Sequence, residues 1–572
     1  MVFYKFLLIF VYKIDAILFV MVNFTKEKKL NNKKMKPETK KLLKWIGFIT
    51  GIILIILLSF GVYLWMNIPG PEGDPPALQS ELFKKPIKEF PVAGKFIFKS
   101  ATELADLIRK KEATSLEITQ ELINYIKNNN YKTNAFVWLF EKEALEAARK
   151  ADEKVAKGEV LGLLHGVPVA IKEQFWIKGK FSTVNAAQFQ NFIAPENAAI
   201  VDAWINEGAI IIGTTNIPKM LIDLQTYGDL YPRGNNPYDT TRTCGGSTGG
   251  GAAAVASGFC PLVLGGDMGG SIRVPAAFCG LYGLKTTENS MESYGSFPEL
   301  SKDKKYVTMA VTGPIAATIE DIELSWKALI KPWYAGQKWL LPDTVKKLNE
   351  YNIAWFDEWH YGKDKKIAAS FSLKEKITQL ITKLEKAGVE TTKEEPSNFT
   401  EMRQVHWLQA VYMVFNKQPW IIRQFIKKDF KKSGSKSSID LTEGTERIGD
   451  LNEEKYKNIR FRRDTLNEAM ERFFTKYNFL IMPVTPGTAI KHNPEHDPVT
   501  FDNQKMLYWD YFHYPMCFNV TGNPALTVPL GLDRNGLPVA VQIVGPHYSE
   551  LQLIHFARLI KHLHSGYIRP EL

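Results

Sequence analysis

The chain has 572 residues, 45% of them apolar and 23% charged, an ordinary globular balance that excludes a chain disordered throughout. Its formal charge of +11 invites a nucleic-acid reading, but residues 1–44 carry eleven Lys against Asp15, Glu27 and Glu38, leaving about +3 for the rest. No basic face with interleaved aromatics stands out there, so nucleic acid is excluded as a partner.

The basic segment 1–44 comes first. Its apolar stretch 6–24 holds Lys13 and Asp15 near the middle, which makes it a poor membrane span. Met35 opens a more conventional anchor sequence, so residues 1–34 read equally well as an upstream extension of the reading frame. Residues 45–66 are twenty-two residues without a charge, which fits the roughly 20 needed to cross a bilayer. The run is longer than a signal-peptide core and no small-x-small site follows it, so an uncleaved anchor is predicted. Lysines precede this run whereas Glu72 and Asp74 follow it. That asymmetry predicts a single-pass membrane protein with a cytoplasmic N-terminus and an extracytoplasmic catalytic domain.

Residues 67–97, rich in proline and charge, read as a tether to a folded domain over 98–572. Across 100–127 apolar residues recur at helical spacing, with Ser100 and Glu103 offering a capping box, so two helices are predicted. Another helix is predicted over 142–157. Apolar runs bounded by glycine at 167–171, 210–213, 261–264 and 526–529 read as buried strands alternating with helices, an α/β layered core. An amphipathic helix follows at 373–387, and an aromatic-rich one at 401–429 carries Trp407, Tyr412, Phe415 and Trp420. Helix packing is the first account of those aromatics, and an apolar acyl pocket or membrane-facing rim is the sharper one. Three of the four cysteines, Cys244, Cys260, Cys279 and Cys517, lie in glycine-rich or apolar segments, so free buried thiols are expected.

The chemistry concentrates in 244–285, where two serine-bearing glycine clusters flank an alanine-rich segment. Glycine turns before a small-residue helix can cradle phosphate, but neither GxxxxGK[ST] nor GxGxxG with a following acid is present, which argues against a nucleotide. Consecutive Met268, Gly269, Gly270 and Ser271 can instead turn several backbone N–H groups toward one point, as an oxyanion hole requires. A serine nucleophile needs a base, and none of the ten histidines marks itself as one. His492 and His496 have helical spacing but sit in a proline-containing loop without a third ligand. No metal and no cofactor are expected.

Four segments together settle the reading: GVPVAIKE (166–173), CGGSTGG (244–250), GGDMGGSIRVPAAFCGLYGLK (265–285), and NVTGNPALTVP with GLPVAVQIVG near the end. They resemble the amidase signature family, whose members include fatty acid amide hydrolases and bacterial amidases, over about residues 98–563. The resemblance implies an α/β fold with a mixed central sheet sandwiched by helices, here preceded by the predicted transmembrane helix. It implies a Ser-Ser-Lys triad: Ser271 as nucleophile, Ser247 as bridging hydroxyl and Lys172 as base, with a cis Gly246–Ser247 peptide. A free lysine titrates near about 10.4, so a lysine base near neutral pH requires burial. Val167, Val169 and Ile171 before Lys172 suit a buried strand end. By the same resemblance Asp267 and Arg273 brace the nucleophile loop. Thr248 stands where many members carry a second serine. Met220 matches an acyl-side position, across a gap in the alignment.

The implied activity is cleavage of a carboxylic amide to acid plus amine or ammonia through an acyl-enzyme on Ser271. The partner is a small-molecule amide, with lipophilic acyl groups favoured by the anchor and by 401–429. Two alternatives stand beside it. One is the A subunit of a glutamine-dependent amidotransferase, opposed by the anchor and by KEQF where such proteins commonly carry Lys-Asp-Asn. The other is an inactive binding protein on the same scaffold, opposed by the intact Lys172, Ser247 and Ser271.

Overall fold

The computed structural model describes residues 79–571, apart from 160, 298–306, 335–345, 362–364 and 416–452. The two helices expected over 100–127 are α1 (Ala101–Arg109) and α2 (Ser115–Thr133), and both begin with capping boxes, Ser100 with Glu103 and Thr114 with Glu117. Each box satisfies two backbone donors that a helix start leaves open. The helix expected at 142–157 is α3 (Glu141–Ala156).

An eleven-stranded sheet organises the described residues. In chain order its strands are β1 (Phe136–Leu139), β2 (Pro168–Lys172), β3 (Ile210–Thr215), β4 (Leu262–Asp267), β5 (Tyr282–Lys285), β6 (Val311–Ala316), β7 (Asn352–Trp355), β8 (Glu390–Lys393), β9 (Phe479–Pro483), β10 (Ala525–Leu532) and β11 (Pro538–Val544). Across the sheet they run β1, β3, β2, β4, β6, β5, β10, β11, β9, β7, β8. The pairs β3/β2, β2/β4, β9/β7 and β7/β8 are parallel and the rest antiparallel. The four short apolar runs are thus β2, β3, β4 and β10; β2 keeps the expected length shifted by one residue, and the other three are longer than their runs.

Both faces of the sheet are covered, because successive side chains on one strand enter different cores. Val169 and Ile171 join one buried cluster with Leu262 and Leu264, while the intervening Ala170 and Val263 join another. The second cluster also holds the alanines of α4 (Gly249–Ala256), a helix buried along its whole length. Later helices are α5 (Arg273–Phe278), α6 (Phe371–Lys386), α7 (Phe399–Phe415), α8 (His513–Val520) and α9 (Glu550–Ile560). The amphipathic helix expected at 373–387 is α6. α7 accounts for the first half of the aromatic segment, and Trp420 lies outside the described residues. Tyr412 stacks on Tyr456 with ring centroids 3.7 Å apart, which is the helix-packing account. The four cysteines are buried and free.

One part of the expected fold class is corrected. No helix among the described residues is long and apolar enough to cross a membrane. The anchor expected at 45–66 and the poor span at 6–24 lie outside the described residues. The transmembrane element is therefore withdrawn from the fold, which rests on the layered α/β core.

Candidate active site

Two neighbouring parallel strands end side by side and bring Lys172 up against Ser247 and Gly266. Lys172 is the last residue of β2, and Asp267 the last of β4, which pairs with β2 through Ala170 to Val263 and Ile171 to Leu264. Crevices beyond the carboxyl ends of parallel strands are where open α/β sheets place ligands. Lys172 Nζ donates to Ser247 Oγ at 2.8 Å and to the Gly266 carbonyl at 3.0 Å. The lysine is 1% exposed. Burial lowers its ammonium to about 7, with the Asp267 carboxylate opposing the shift.

Ser247 is buried and enters through a cis Gly246–Ser247 peptide, as the motif implied. Gly246 cannot carry a side chain: a Cβ there would lie 2.8 Å from the backbone of Asp223, Leu224 and Gln225. Thr248 N donates to the Ser271 carbonyl at 3.0 Å, which ties the two serine loops together. Thr248 Oγ1 shares the Gly266 carbonyl with Lys172, at 3.4 Å. Ser271 is 8% exposed, between β4 and α5.

The loop that carries Ser271 hangs on one buried carboxylate. Asp267 Oδ1 accepts from Gly270 N at 2.8 Å, and Oδ2 accepts from Ile272 N at 3.1 Å. Arg273 closes the arrangement, donating through Nη2 to Asp267 Oδ1 at 2.9 Å and through Nε to Oδ2 at 3.1 Å. Its other donors reach the Pro515 carbonyl, Gln542 and Asn519, so a guanidinium 0% exposed is fully engaged. Burial alone would raise the Asp267 carboxyl, but Arg273 outweighs it and holds the group well below the usual carboxylate range. Gly270 has φ +113°, and a Cβ there would meet Pro515 at 2.6 Å, so only glycine makes this turn. Of the four residues expected to offer oxyanion donors, Gly270 has its N–H on Asp267. Met268 packs against the aromatic cluster of α7, and Gly269 faces His406 and Met516.

Met220 stands in a left-handed conformation, with φ 54°, in the loop that goes on to touch Gly246. Its side chain packs with Val184, Ala186 and Ile217 and accepts from Gln188 Nε2 at 3.6 Å. The histidine pair goes separate ways: His492 Nε2 contacts the Thr240 carbonyl at 3.3 Å, and His496 Nε2 lies 2.7 Å from Asp223 Oδ2.

Sequence reasoning missed that last partner. Asp223 is buried, binds Tyr227 and Tyr508 hydroxyls as well as His496, and its backbone packs on Gly246. Gln225 exchanges two hydrogen bonds, both 2.8 Å, with the backbone of Asn493. Glu173, next to the lysine, was also missed. It accepts from the backbone of Thr183 and Val184 and from Tyr231, and burial raises its carboxyl to about 7 against those hydrogen bonds. A charged residue inside an otherwise apolar run was the only signal for Glu173. For Asp223, 273 residues from its histidine partner, there was none.

A family model described as Amidase matches residues 117–554. Among curated proteins, the A subunit of glutamyl-tRNA(Gln) amidotransferase from Nostoc sp. is 28% identical over 485 residues, 80% of this chain and 96% of that protein. The corresponding A subunit from Alkaliphilus metalliredigens is 31% identical over 475 residues, 78% of this chain and 93% of its own. Among solved structures, a bacterial aryl acylamidase of the amidase signature enzymes superposes with a TM-score of 0.68 at 21% identity, covering 82% of this chain and 97% of that one. That likeness speaks to fold alone. The curated relatives are amidotransferase subunits, and no membrane-length helix stands among the described residues. The single-pass placement with an extracytoplasmic catalytic domain is accordingly withdrawn, and with it the anchor's argument against an amidotransferase. A match running from α2 past both serine loops into α9 leaves one assignment: this chain belongs to the amidase, or amidase signature, family and is an enzyme of amide hydrolysis.

Proposed function

We propose that the chain cleaves a carboxylic amide through an acyl-enzyme on Ser271, with Ser247 relaying the proton and Lys172 acting as base. The observation that carries this reading is the buried Lys172 Nζ at 2.8 Å from Ser247 Oγ, with a carbonyl rather than a carboxylate as its other partner. A carboxylate there would hold the ammonium charged. With burial lowering it to about 7, a large share of the lysine is neutral near pH 7. A neutral amine keeps one N–H on the Gly266 carbonyl and turns its lone pair to the Ser247 proton. Ser247 then takes the proton of Ser271, which attacks the amide carbonyl. The relay runs backward to protonate the departing nitrogen, and water admitted in its place releases the acid. The developing oxyanion falls to backbone N–H groups of Met268, Gly269 and Ser271, since Gly270 serves Asp267. Met220 retains its proposed place on the acyl side.

Between a free-standing amidase and an amidotransferase A subunit, one finding favours the second: curated relatives matched over 93–96% of their lengths are A subunits. On this reading the substrate is a primary amide such as glutamine, and the ammonia released passes to a partner protein. KEQF at 172–175 remains the departure from that pattern. Ammonia release from glutamine, measured with and without candidate partner proteins, tests it. Stimulation by a partner supports the amidotransferase, whereas partner-independent turnover of other amides and none of glutamine returns the free-standing amidase.

A further inference from the structure

Of the buried polar atoms on α7 that lack a partner, two on adjacent residues lie in the layer of residues that encloses the serine loops. His406 is 4% exposed, and its Nδ1 has no hydrogen-bond partner among the described residues; the same holds for the indole Nε1 of its neighbour Trp407. A buried polar group gains from a partner, and two adjacent orphans at the edge of the serine loops offer a ligand one donor and one acceptor. Their position says which ligand. A Cβ built on Gly269 would lie 3.2 Å from His406 Cε1 and 3.5 Å from Met516 Cγ, so the imidazole borders the oxyanion loop. Trp407 packs on a cluster containing Leu224, Val274 and Met516. Leu224 borders Gly246 on the bridging-serine side, and Val274 borders Gly270 on the nucleophile side. The rings of Trp407 and His406 meet edge to face at 5.6 Å, and Trp509 closes on Trp407 at 5.4 Å.

The imidazole's chemistry can be assigned. Burial lowers its pKa to about 4, with Asp267 opposing, so the ring is neutral at neutral pH and carries one N–H. The Met516 backbone hydrogen-bonds the ring in the sense that favours a proton. That bond falls to Nε2 because Nδ1 has no partner, leaving Nδ1 as an acceptor. The indole Nε1 can only donate.

We propose that Trp407 and His406 form a polar subsite beside Ser271 that selects amides whose far end carries both a hydrogen-bond acceptor, taken by Trp407 Nε1–H, and an N–H donor, taken by His406 Nδ1. This rests on the amide-hydrolase reading and narrows its substrate class. An alkyl chain in the same space would leave both atoms buried and unsatisfied, which opposes the lipophilic acyl group that the aromatic segment suggested.

The test compares glutaramide with hexanamide, amides of similar length that differ in the polar end. The ratio of their kcat/KM values should favour glutaramide and should fall about 3- to 10-fold in Trp407→Phe and again in His406→Phe, the change expected for loss of one neutral hydrogen bond each. An unchanged ratio in folded variants overturns the subsite. Should either variant misfold, the ¹⁵N signal of His406 Nδ1 in the unmodified protein replaces it, and no shift on adding glutaramide is equally fatal. Calorimetry on Ser271→Ala separates the two readings. If the active chain turns over neither amide but Ser271→Ala binds glutaramide more tightly than hexanamide, the hydrolase reading fails and the subsite stands.

Discussion

The Ser271 loop and the α7 wall beside it are both largely buried but differ in how their polar atoms are used. In the loop, Asp267 and Arg273 engage one another, two backbone N–H groups, a carbonyl and two side-chain amides, so that no donor of the guanidinium is idle. On the wall, His406 Nδ1 and Trp407 Nε1 have no partner among the described residues. A fully satisfied network fixes one geometry. On the proposal above, the unsatisfied pair is kept to receive a substrate. The contrast is between a frame whose guanidinium donors are all used and a wall that keeps a donor and an acceptor free beside it.

The largest effect that would break this division is at the nucleophile. Ser271→Ala should abolish fluorophosphonate labelling and lower amide turnover on the order of 10⁴-fold or more without changing the fold. Retained labelling would move the nucleophile elsewhere. Next in size, Lys172→Ala and Ser247→Ala should each reduce amide turnover about 10²- to 10⁴-fold, and ester turnover less, because an alkoxide leaves with less need of a proton. A folded Lys172→Ala chain with undiminished amide turnover would end the lysine-base mechanism.

On the proposed mechanism the same lysine sets a pH dependence. Its folded value, lowered by burial to about 7, means that the base is protonated and idle at lower pH. Turnover should rise about tenfold per unit of pH up to about 7 and level off above. A profile flat between pH 5 and 8 would show that another group is the base.

Smaller effects sharpen the comparison in stability rather than rate. Arg273→Met strands the Asp267 carboxylate inside the protein and should cost about 3–5 kcal/mol, measured by denaturant unfolding, because a buried charge loses its partner. An equal loss from Trp407→Phe would erase the distinction between frame and wall. Smallest of all, His496→Ala removes one donor from the buried Asp223 and should cost about 1.5 kcal/mol, with His496→Gln restoring most of it.

Much of the frame was legible beforehand, and for a local reason. Helix starts announce themselves within four residues, as Ser100 with Glu103 did. Buried strands show as short apolar runs ended by glycine, as at 261–264. Lys172, Ser247 and Ser271 could be named because each sits in a motif whose neighbours are dictated by close backbone approach, such as Gly246 against 223–225 and Gly270 against Pro515. The anchor reading failed as a guide to the described fold because hydropathy is a local count, blind to what the folded domain and its relatives are.

The sequence by itself determined the element types, the candidate site residues and the family, since these depend on spacing within a few residues or on a motif that admits few substitutions. Only the tertiary structure decided how those residues are partnered. Lys172 faces a hydroxyl and a carbonyl because β2 and β4 are parallel neighbours. Asp223 meets His496 across 273 residues of chain. His406 and Trp407, unremarkable on a helix, become a recognition surface because Gly269 and the Leu224 cluster close around them. Such pairings are set by long-range packing, in which solvent exclusion decides whether a polar atom is satisfied, idle or waiting for a ligand.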